Sequence, residues 1–210
     1  MFNRILVLSP HTDDAELGAG GTIAKFVEEK KEVFYIAFSI CEKSVPEGFD
    51  KDVCRQEVKE ASKILGIKKG NLKIFDYEVR GFQARRQEIL EDIVSIGKEI
   101  LPDLVLFPSP NDTHQDHQTI SQEAIRAFKT QAGLFGYEQP WNHMTFNTIS
   151  FVQIQERHLQ KKIEALKKYK SQAAKPYSKE EYIKGLAKVR GTQINVEYAE
   201  AFEVMRLIVK

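Results

Sequence analysis

The 210-residue sequence has little cysteine, almost no excess charge and no long apolar run. Its two cysteines, Cys41 and Cys54, are too few for a disulfide framework, and no export signal precedes the first apolar segment. We therefore expect free thiols and a cytoplasmic location. The formal net charge of +1 argues against a dedicated nucleic-acid-binding protein, because such proteins usually have a strongly basic face. No apolar run approaches the roughly 20 residues of a membrane-spanning helix. The oligomeric state stays open, with a homo-oligomer as one option.

Apolar segments alternate with amphipathic segments along the chain. This alternation is typical of βαβ units and predicts an α/β protein with a mostly parallel sheet. The predicted strands are residues 4–8, 33–38, 72–75, 104–107, 147–152 and 201–209. The predicted helices are residues 22–30, 52–65, 87–101, 118–128, 156–170 and 179–189. Since neither an internal repeat nor a low-complexity linker interrupts the pattern, residues 1–210 are expected to form a single domain.

A histidine and two acids follow the first predicted strand. His11, Asp13 and Asp14 lie just beyond residues 4–8. In open α/β sheets ligands bind at the carboxyl ends of the strands, and imidazole with carboxylate suits Zn²⁺ or a similar divalent ion. The alternative is a plain strand-to-helix turn in which one of the acids caps the helix.

A second polar loop follows the predicted strand at residues 104–107 and contains His114 and His117. Three of the five histidines in the chain therefore follow two strands whose ends meet at one sheet edge. Catalytic zinc sites commonly use three protein ligands and keep a fourth position for water or substrate. His11, one of the two acids and either His114 or His117 would supply that set. The alternative for the second loop is a solvated segment or a helix cap.

Other polar, aromatic and small residues are candidates for supporting roles. Arg55 and Arg80 are candidates for substrate binding, since guanidinium offers a rigid fork of donors. Trp141 is expected to pack in the core, with an aromatic wall for a sugar ring as the alternative. The glycine-rich residues 18–21 lack the spacing of nucleotide-binding loops, so we expect them to let a helix pack closely on the first strand.

Two motifs carry a resemblance to a known family. The segment HTDDAELGAGG resembles the HPDDxExGxGG signature of the PIG-L/LmbE-like zinc N-deacetylases, and HQDH matches the HxDH motif of that family. Residues 55–66, 162–172 and 198–206 are similar to further family segments, the last with Tyr198, Glu200 and Glu203. Thr12 stands where the family usually has proline, but every candidate ligand is in place.

The resemblance implies a Rossmann-like three-layer fold with a metal site at the carboxyl edge of the strands. It implies His11, Asp14 and His117 as ligands of a zinc ion, with Fe²⁺ as an alternative metal. Asp13 would then be the general base that accepts a proton from water. This role gives a physical reason for two adjacent acids, because neighbouring side chains do not both reach one metal without strain.

The resemblance also implies roles for the second motif and a reaction. His114 would stabilise the oxyanion or protonate the leaving amine, and Asp116 would hold the tautomer of His114. The expected reaction is removal of an N-acetyl or other short N-acyl group from a small amino-sugar derivative, such as a conjugate of N-acetylglucosamine. The alternatives are an amidase for a larger sugar–thiol conjugate and a non-catalytic metal-containing binding module. The second acid, Asp13, favours the enzyme over the binding module.

Overall fold

A mixed seven-stranded sheet forms the centre of the computed structural model, which describes residues 2–208. In chain order its strands are β1 (Arg4–His11), β2 (Glu32–Ser39), β3 (Leu72–Ile74), β4 (Leu104–Pro108), β5 (Gly133–Tyr137), β6 (Ser150–Ile154) and β7 (Tyr198–Arg206). Their spatial order is β3-β2-β1-β4-β5-β7-β6. The first five strands pair in parallel, and β7 is antiparallel to both of its neighbours. The prediction of a mostly parallel sheet is confirmed.

Helices cover both faces of this sheet. They are α1 (Asp14–Glu28), α2 (Val53–Leu65), α3 (Arg86–Ile100), α4 (Gln115–Phe128), α5 (Glu156–Leu166) and α6 (Glu180–Gln193). Helices α1, α2 and α5 pack against one another on one face, whereas α3 and α4 form a pair on the other. The fold is therefore the three-layer α/β architecture that was expected.

Strand β1 shows why the central strands are apolar along their whole length. Its side chains alternate between two cores: Ile5 and Val7 face α1 and α5, whereas Leu6 and Leu8 face α3 and α4. All four are fully buried. A strand with helices on both faces has no polar side, which accounts for the continuous hydrophobic run. Burial fixes the position of the residues at its carboxyl end.

Helix α1 begins earlier than the sequence pattern predicts, at Asp14 rather than residue 22. The Gly21 and Thr22 amides in the middle of this helix donate to the Glu200 carboxylate on β7, at 3.0 and 2.6 Å. Lys162 Nζ lies 2.6 Å from the same carboxylate. Packing and the distant Glu200 carboxylate thus hold the glycine-rich first half of α1 in a helix. Neither contact produces a local periodic pattern, so the sequence pattern placed the start of the helix too late.

Close packing explains the glycines of α1, but the residues that they approach lie on β5, β6 and α5 and not, as was predicted, on the first strand. A Cβ atom on Gly18 would lie 2.3 Å from Cδ2 of Tyr137, and one on Gly21 would lie 2.7 Å from Cδ1 of Ile154. Only a residue without a side chain lets the helix approach the sheet this closely. The first turn of α1 is thereby held against the carboxyl edge of the sheet.

Several other predicted boundaries differ from the structure. Helix α4 begins at Gln115, so that His117 lies in its first turn rather than in a loop. Strand β5 was not predicted, because five residues with two glycines carry little strand signal. Strand β7 spans Tyr198–Arg206 rather than 201–209, and the predicted end at residue 209 lies outside the described residues.

Glu203 of β7 fixes the loop that follows β4. Its carboxylate accepts hydrogen bonds from the Ser109 hydroxyl, from Asn111 Nδ2 at 2.9 Å and from the Asn147 amide at 2.8 Å. The two glutamates of β7 therefore support the two motif segments separately, Glu200 through α1 and Glu203 through the loop after β4. Within residues 2–208, none of the helices has the length and apolar character needed to cross a bilayer.

Candidate metal centre and active site

Three side chains from two neighbouring strand ends meet at the carboxyl edge of the sheet. His11 is the last residue of β1, Asp14 the first of α1, and His117 lies in the first turn of α4, which follows β4. His11 Nδ1 lies 3.0 Å from Asp14 Oδ2, His117 Nε2 lies 3.1 Å from that oxygen, and the two nitrogens are 3.2 Å apart. All three residues are buried. One short turn and one helix start therefore bring three ligand atoms into a small triangle.

Two further carboxylates orient the imidazoles. His11 Nε2 lies 3.0 Å from Asp116 Oδ2, and His117 Nδ1 lies 2.7 Å from Asp112 Oδ2. Because an ionised carboxylate only accepts, these nitrogens carry the protons of the neutral rings. The remaining lone pairs, on His11 Nδ1 and His117 Nε2, therefore point into the triangle.

The Asp14 carboxylate is also held in place. The His11 amide donates to Oδ2 at 2.8 Å, and Nε2 of the fully buried Gln139 donates to Oδ1 at 3.0 Å. At metal sites, hydrogen bonds of this kind fix the orientation of the side chains that bind the metal directly. Oδ2 is thus the oxygen that faces both imidazole lone pairs.

The donor set fits a divalent metal ion. Ligand atoms about 2.0–2.1 Å from a tetrahedral zinc ion are roughly 3.3 Å apart, close to the sides of the triangle of His11, Asp14 and His117. A second grouping is made of His11, His114 and His117, which offer ligand nitrogens within 4.8 Å of one another. These histidines could hold a metal ion. His114 Nδ1 already accepts a hydrogen bond from the Asp116 amide, at 3.2 Å.

The charges around the triangle shift several pKa values. Burial alone would lower the pKa of both imidazoles, but Asp14 with Asp116 raises that of His11 to about 9, and Asp14 with Asp112 raises that of His117 to about 10. Burial would raise the pKa of Asp14, but the two imidazoles outweigh it and hold this pKa well below its usual range. A metal ion that binds here takes the place of the protons on the imidazoles.

Asp13 differs from its neighbour in surroundings and in pKa. It is half-buried at the N-terminus of α1, where its side chain makes no capping hydrogen bond, so the alternative role of helix cap is not realised. Burial, together with the charge of Asp14, raises its pKa to about 7. A carboxyl group with this pKa both accepts and releases protons near neutral pH.

His114 caps α4 through its ring. Because Nδ1 accepts from the Asp116 amide, the neutral ring has its proton on Nε2. Burial and the positive charges of His11 and His117 lower the pKa of His114 to about 4. At neutral pH this imidazole is therefore a neutral hydrogen-bond donor.

The contacts of Asp116 differ from the expected ones. Its carboxylate bonds to His11 Nε2 and accepts the Arg80 amide at 2.6 Å and the Phe82 amide at 3.3 Å; only its backbone amide contacts His114. Asp116 was expected to hold the tautomer of His114, and its contact with that ring comes from the backbone amide rather than from the carboxylate. The residue orients His11 and joins the loop before α3 to the site.

A cavity of about 270 Å³ opens beside these residues. Asp13, His114 and Arg80 line it, whereas Arg55 does not and forms an ion pair with Asp76 instead. The structure thus brings one of the two candidate arginines to the site.

Trp141 packs against the core, as expected, and also lies beside the cavity. Its ring stacks on Tyr177 with a centroid distance of 4.0 Å and an angle of 11°, and packs against the core. Both rings also line the cavity and give it an aromatic wall. Cys41 and Cys54 are free thiols, as expected, and both line the same cavity.

Three residues that contact the site or line the cavity were not predicted from the sequence. Asp112 stands in the second motif segment, and its spacing of five residues before His117 was a usable signal. Gln139 follows the unpredicted strand β5, so no local pattern indicates its contact with the site. Tyr177 lies between α5 and α6 and reaches the cavity only through the tertiary fold.

Fold and site together define a three-layer α/β protein with a candidate metal centre at the carboxyl edge of its parallel strands. Residues 6–128 match the family model described as PIG-L: GlcNAc-PI de-N-acetylase. The chain belongs to the PIG-L family.

Known proteins resemble the chain beyond the matched segment. It is 28% identical over 173 residues to the uncharacterized deacetylase YaiS of Escherichia coli, with 80% of this chain and 90% of YaiS covered. It is 28% identical over 123 residues to the diacetylchitobiose deacetylase of Thermococcus kodakarensis, covering 55% of this chain and 45% of that enzyme. The solved N,N'-diacetylchitobiose deacetylase of Pyrococcus horikoshii superposes with a TM-score of 0.81 at 23% identity, covering 97% of this chain and 84% of that one. This last likeness concerns the fold.

Proposed function

We propose that the protein is a zinc-dependent N-deacetylase that acts on a small N-acetylated amino sugar. The observation that carries the proposal is the triangle of His11 Nδ1, Asp14 Oδ2 and His117 Nε2, with sides of 3.0–3.2 Å, beside a separate acid. A binding module needs the triangle alone. The Asp13 side chain makes no capping hydrogen bond and has a pKa of about 7. It can therefore act as the proton acceptor that hydrolysis requires.

Each residue would have a distinct part in amide hydrolysis. When bound by His11, Asp14 and His117, zinc supplies a Lewis acid that favours deprotonation of water and polarises an amide carbonyl. Asp13 accepts the proton of the attacking water as the C–O bond forms. The same carboxyl group then returns this proton to the amine nitrogen as the C–N bond breaks, so that acetate and a free amine leave.

His114 is suited to oxyanion stabilisation. Its neutral ring has the proton on Nε2 and lines the cavity, where it can donate to the carbonyl oxygen as negative charge develops. The lowered pKa of about 4 favours this role over protonation of the amine, because the ring has no second proton to give at neutral pH.

The walls of the cavity support a sugar substrate. Stacked Trp141 and Tyr177 offer an aromatic surface, and Arg80 offers a guanidinium group for hydroxyl or anionic groups. The similarity to a diacetylchitobiose deacetylase supports an N-acetylglucosamine unit in the substrate. Asp112, Asp116 and Gln139 would serve by orienting the ligands.

A substrate screen tests the proposal. Zinc-loaded protein is incubated with N-acetylglucosamine, N,N'-diacetylchitobiose and N-acetylglucosamine glycosides, and the released primary amine and acetate are both measured. We expect equal amounts of the two products, and no release after zinc is removed by a chelator. A zinc-replete protein that releases neither product from any N-acetylated sugar would contradict this function.

A further inference from the structure

The connection between α5 and α6 forms an outer wall of the cavity. We call residues 167–179 the strap. Gln172, Lys175 and Tyr177 of the strap line the cavity. Tyr177 also stacks on Trp141, which comes from the segment after β5. Residues 173–176 are exposed, so the position of the strap depends on a few contacts with the body of the protein.

One contact joins the strap to the turn that carries the acids. The Tyr169 hydroxyl lies 2.5 Å from the Thr12 carbonyl oxygen and 2.9 Å from Oε1 of the fully buried Glu16. This contact holds the start of the strap beside Asp13. It gives no support to Ser171, which lies between this contact and the stacked Tyr177.

Glu57 of α2 supplies that support. The Ser171 amide donates to Oε1 at 2.9 Å, and the Ser171 hydroxyl donates to Oε2 at 2.6 Å. Both residues are about 95% buried, with exposed fractions of 5% for Glu57 and 4% for Ser171. Both carboxylate oxygens of Glu57 therefore accept hydrogen bonds from Ser171 of the strap.

The burial of Glu57 has no simple structural reason. Within residues 2–208 no lysine or arginine forms an ion pair with it, and a buried carboxylate without a cation is costly unless strong hydrogen bonds compensate. The two hydrogen bonds from Ser171 supply that compensation and hold this part of the strap against α2.

We propose that Glu57 is a positioning residue that sets substrate affinity by fixing the strap as the outer wall of the cavity. The proposal rests on the proposed deacetylase function for its kinetic consequence. Glu57 touches neither the metal ligands nor Asp13, so its loss should weaken the binding of substrates that reach the strap and leave the chemical step intact. A disaccharide extends further from the metal centre than a monosaccharide and should be affected more.

The kinetic test compares Glu57→Ala with wild type on N-acetylglucosamine and N,N'-diacetylchitobiose, using zinc-loaded protein. We expect KM for the disaccharide to rise about tenfold or more, as for the loss of a charge-assisted hydrogen bond, with kcat within about threefold of wild type. Glu57→Gln, which keeps the shape and one acceptor oxygen, should recover most of the affinity. Ser171→Ala keeps the backbone donor and should show a smaller rise in KM.

The chain contains its own reporter of strap position, because Trp141 is its only tryptophan and stacks on Tyr177 of the strap. Acrylamide should quench Trp141 fluorescence more strongly in zinc-loaded Glu57→Ala than in wild type. The matched control is Glu123→Ala. It also removes a fully buried carboxylate, but one paired with Arg86 and Arg126 between α3 and α4. This control should leave quenching and KM unchanged.

Wild-type quenching in Glu57→Ala would overturn the proposal, as would an equal loss of kcat on both sugars together with loss of zinc. The quenching measurement needs no turnover. If wild type proves inactive on both sugars, the proposed function fails while the position of the strap is still decided by Trp141. If Glu57→Ala does not fold, Glu57→Gln and Ser171→Ala decide the question by the same two measurements.

Discussion

Two adjacent acids of the site have opposite electrostatic surroundings. Asp14 faces two imidazoles and a buried amide, which stabilise its charge, whereas burial and the charge of Asp14 oppose the ionisation of Asp13. The pKa of Asp14 is therefore lowered and that of Asp13 is raised to about 7. Such a separation of pKa values between neighbouring groups is how one site assigns binding and proton transfer to two residues of the same type.

This difference gives a test at the scale of one residue. Asp13→Asn keeps the size of the side chain but cannot accept a proton, so kcat should fall by about 10²-fold or more. Zinc content and the melting temperature should remain near those of wild type, because Asp13 is not in the triangle. Asp14→Asn is the matched control and should lose zinc instead, which metal analysis after dialysis measures. An Asp13→Asn protein with full zinc and near wild-type turnover would rule out Asp13 as the base.

At the scale of secondary-structure elements, helix α1 depends on contacts that are distant in the sequence. Its first half contains three glycines and is held by close packing on Tyr137 and by the Glu200 carboxylate. Since Asp14 begins this helix, a displacement of α1 would move one side of the triangle.

Gly18→Ala tests this dependence. The new methyl group would lie 2.3 Å from the Tyr137 ring, so the helix or the ring must move. We expect a loss of about 1–3 kcal/mol in the free energy of unfolding, measured with urea, and weaker zinc binding. The matched control is Gly185→Ala in α6, where a Cβ atom meets nothing within 4 Å. That change should stabilise the protein by about 0.4–1 kcal/mol, and equal stability of the two variants would contradict the packing argument.

Whether an element could be predicted from the sequence depends on whether local residues or distant contacts determine its structure. The buried strands β1, β2 and β4 are continuous apolar runs, so their positions, and with them the convergence of His11 and His117, follow from the sequence. Strand β5 and the start of α1 contain glycines, whose structure is set by tertiary contacts. Gln139 follows β5, and its contact with Asp14 was beyond local patterns for this reason. Asp116 meets His114 through its amide and turns its carboxylate to His11, a division that local patterns do not reveal because sequence adjacency does not fix side-chain direction.

For the whole molecule, binding of a metal ion at the triangle would be linked to protonation and to folding. His11 and His117 have pKa values of about 9 and about 10, above their usual value of 6.5, so the metal-free folded state binds these protons more tightly than the unfolded chain. This stabilisation is complete below about pH 6.5 and is lost as the pH rises through about 9 and 10. Zinc needs the deprotonated rings, so its stabilising effect has the opposite dependence on pH.

The increase in melting temperature on addition of zinc should therefore be larger at pH 8.5 than at pH 6. Displacement of two protons makes the affinity rise by up to about a hundredfold per pH unit. Calorimetry at a fixed, chelator-buffered concentration of free zinc measures this increase, and His117→Ala should show little increase at either pH. An increase that does not change with pH would contradict the linkage.

The two glutamates of β7 also set the order in which the site is completed during synthesis. Residues 6–128, which match the family model, contain every member of the triangle, yet Glu200 and Glu203 hold α1 and the loop after β4 in place. At about 5–20 residues per second, the ribosome needs several seconds to add the chain between residues 128 and 203. Until then the two motif segments lack the carboxylates that support them. A nascent chain that stops after α4 therefore has the three residues of the triangle but not the contacts from β7 that hold α1 and the loop after β4 in place.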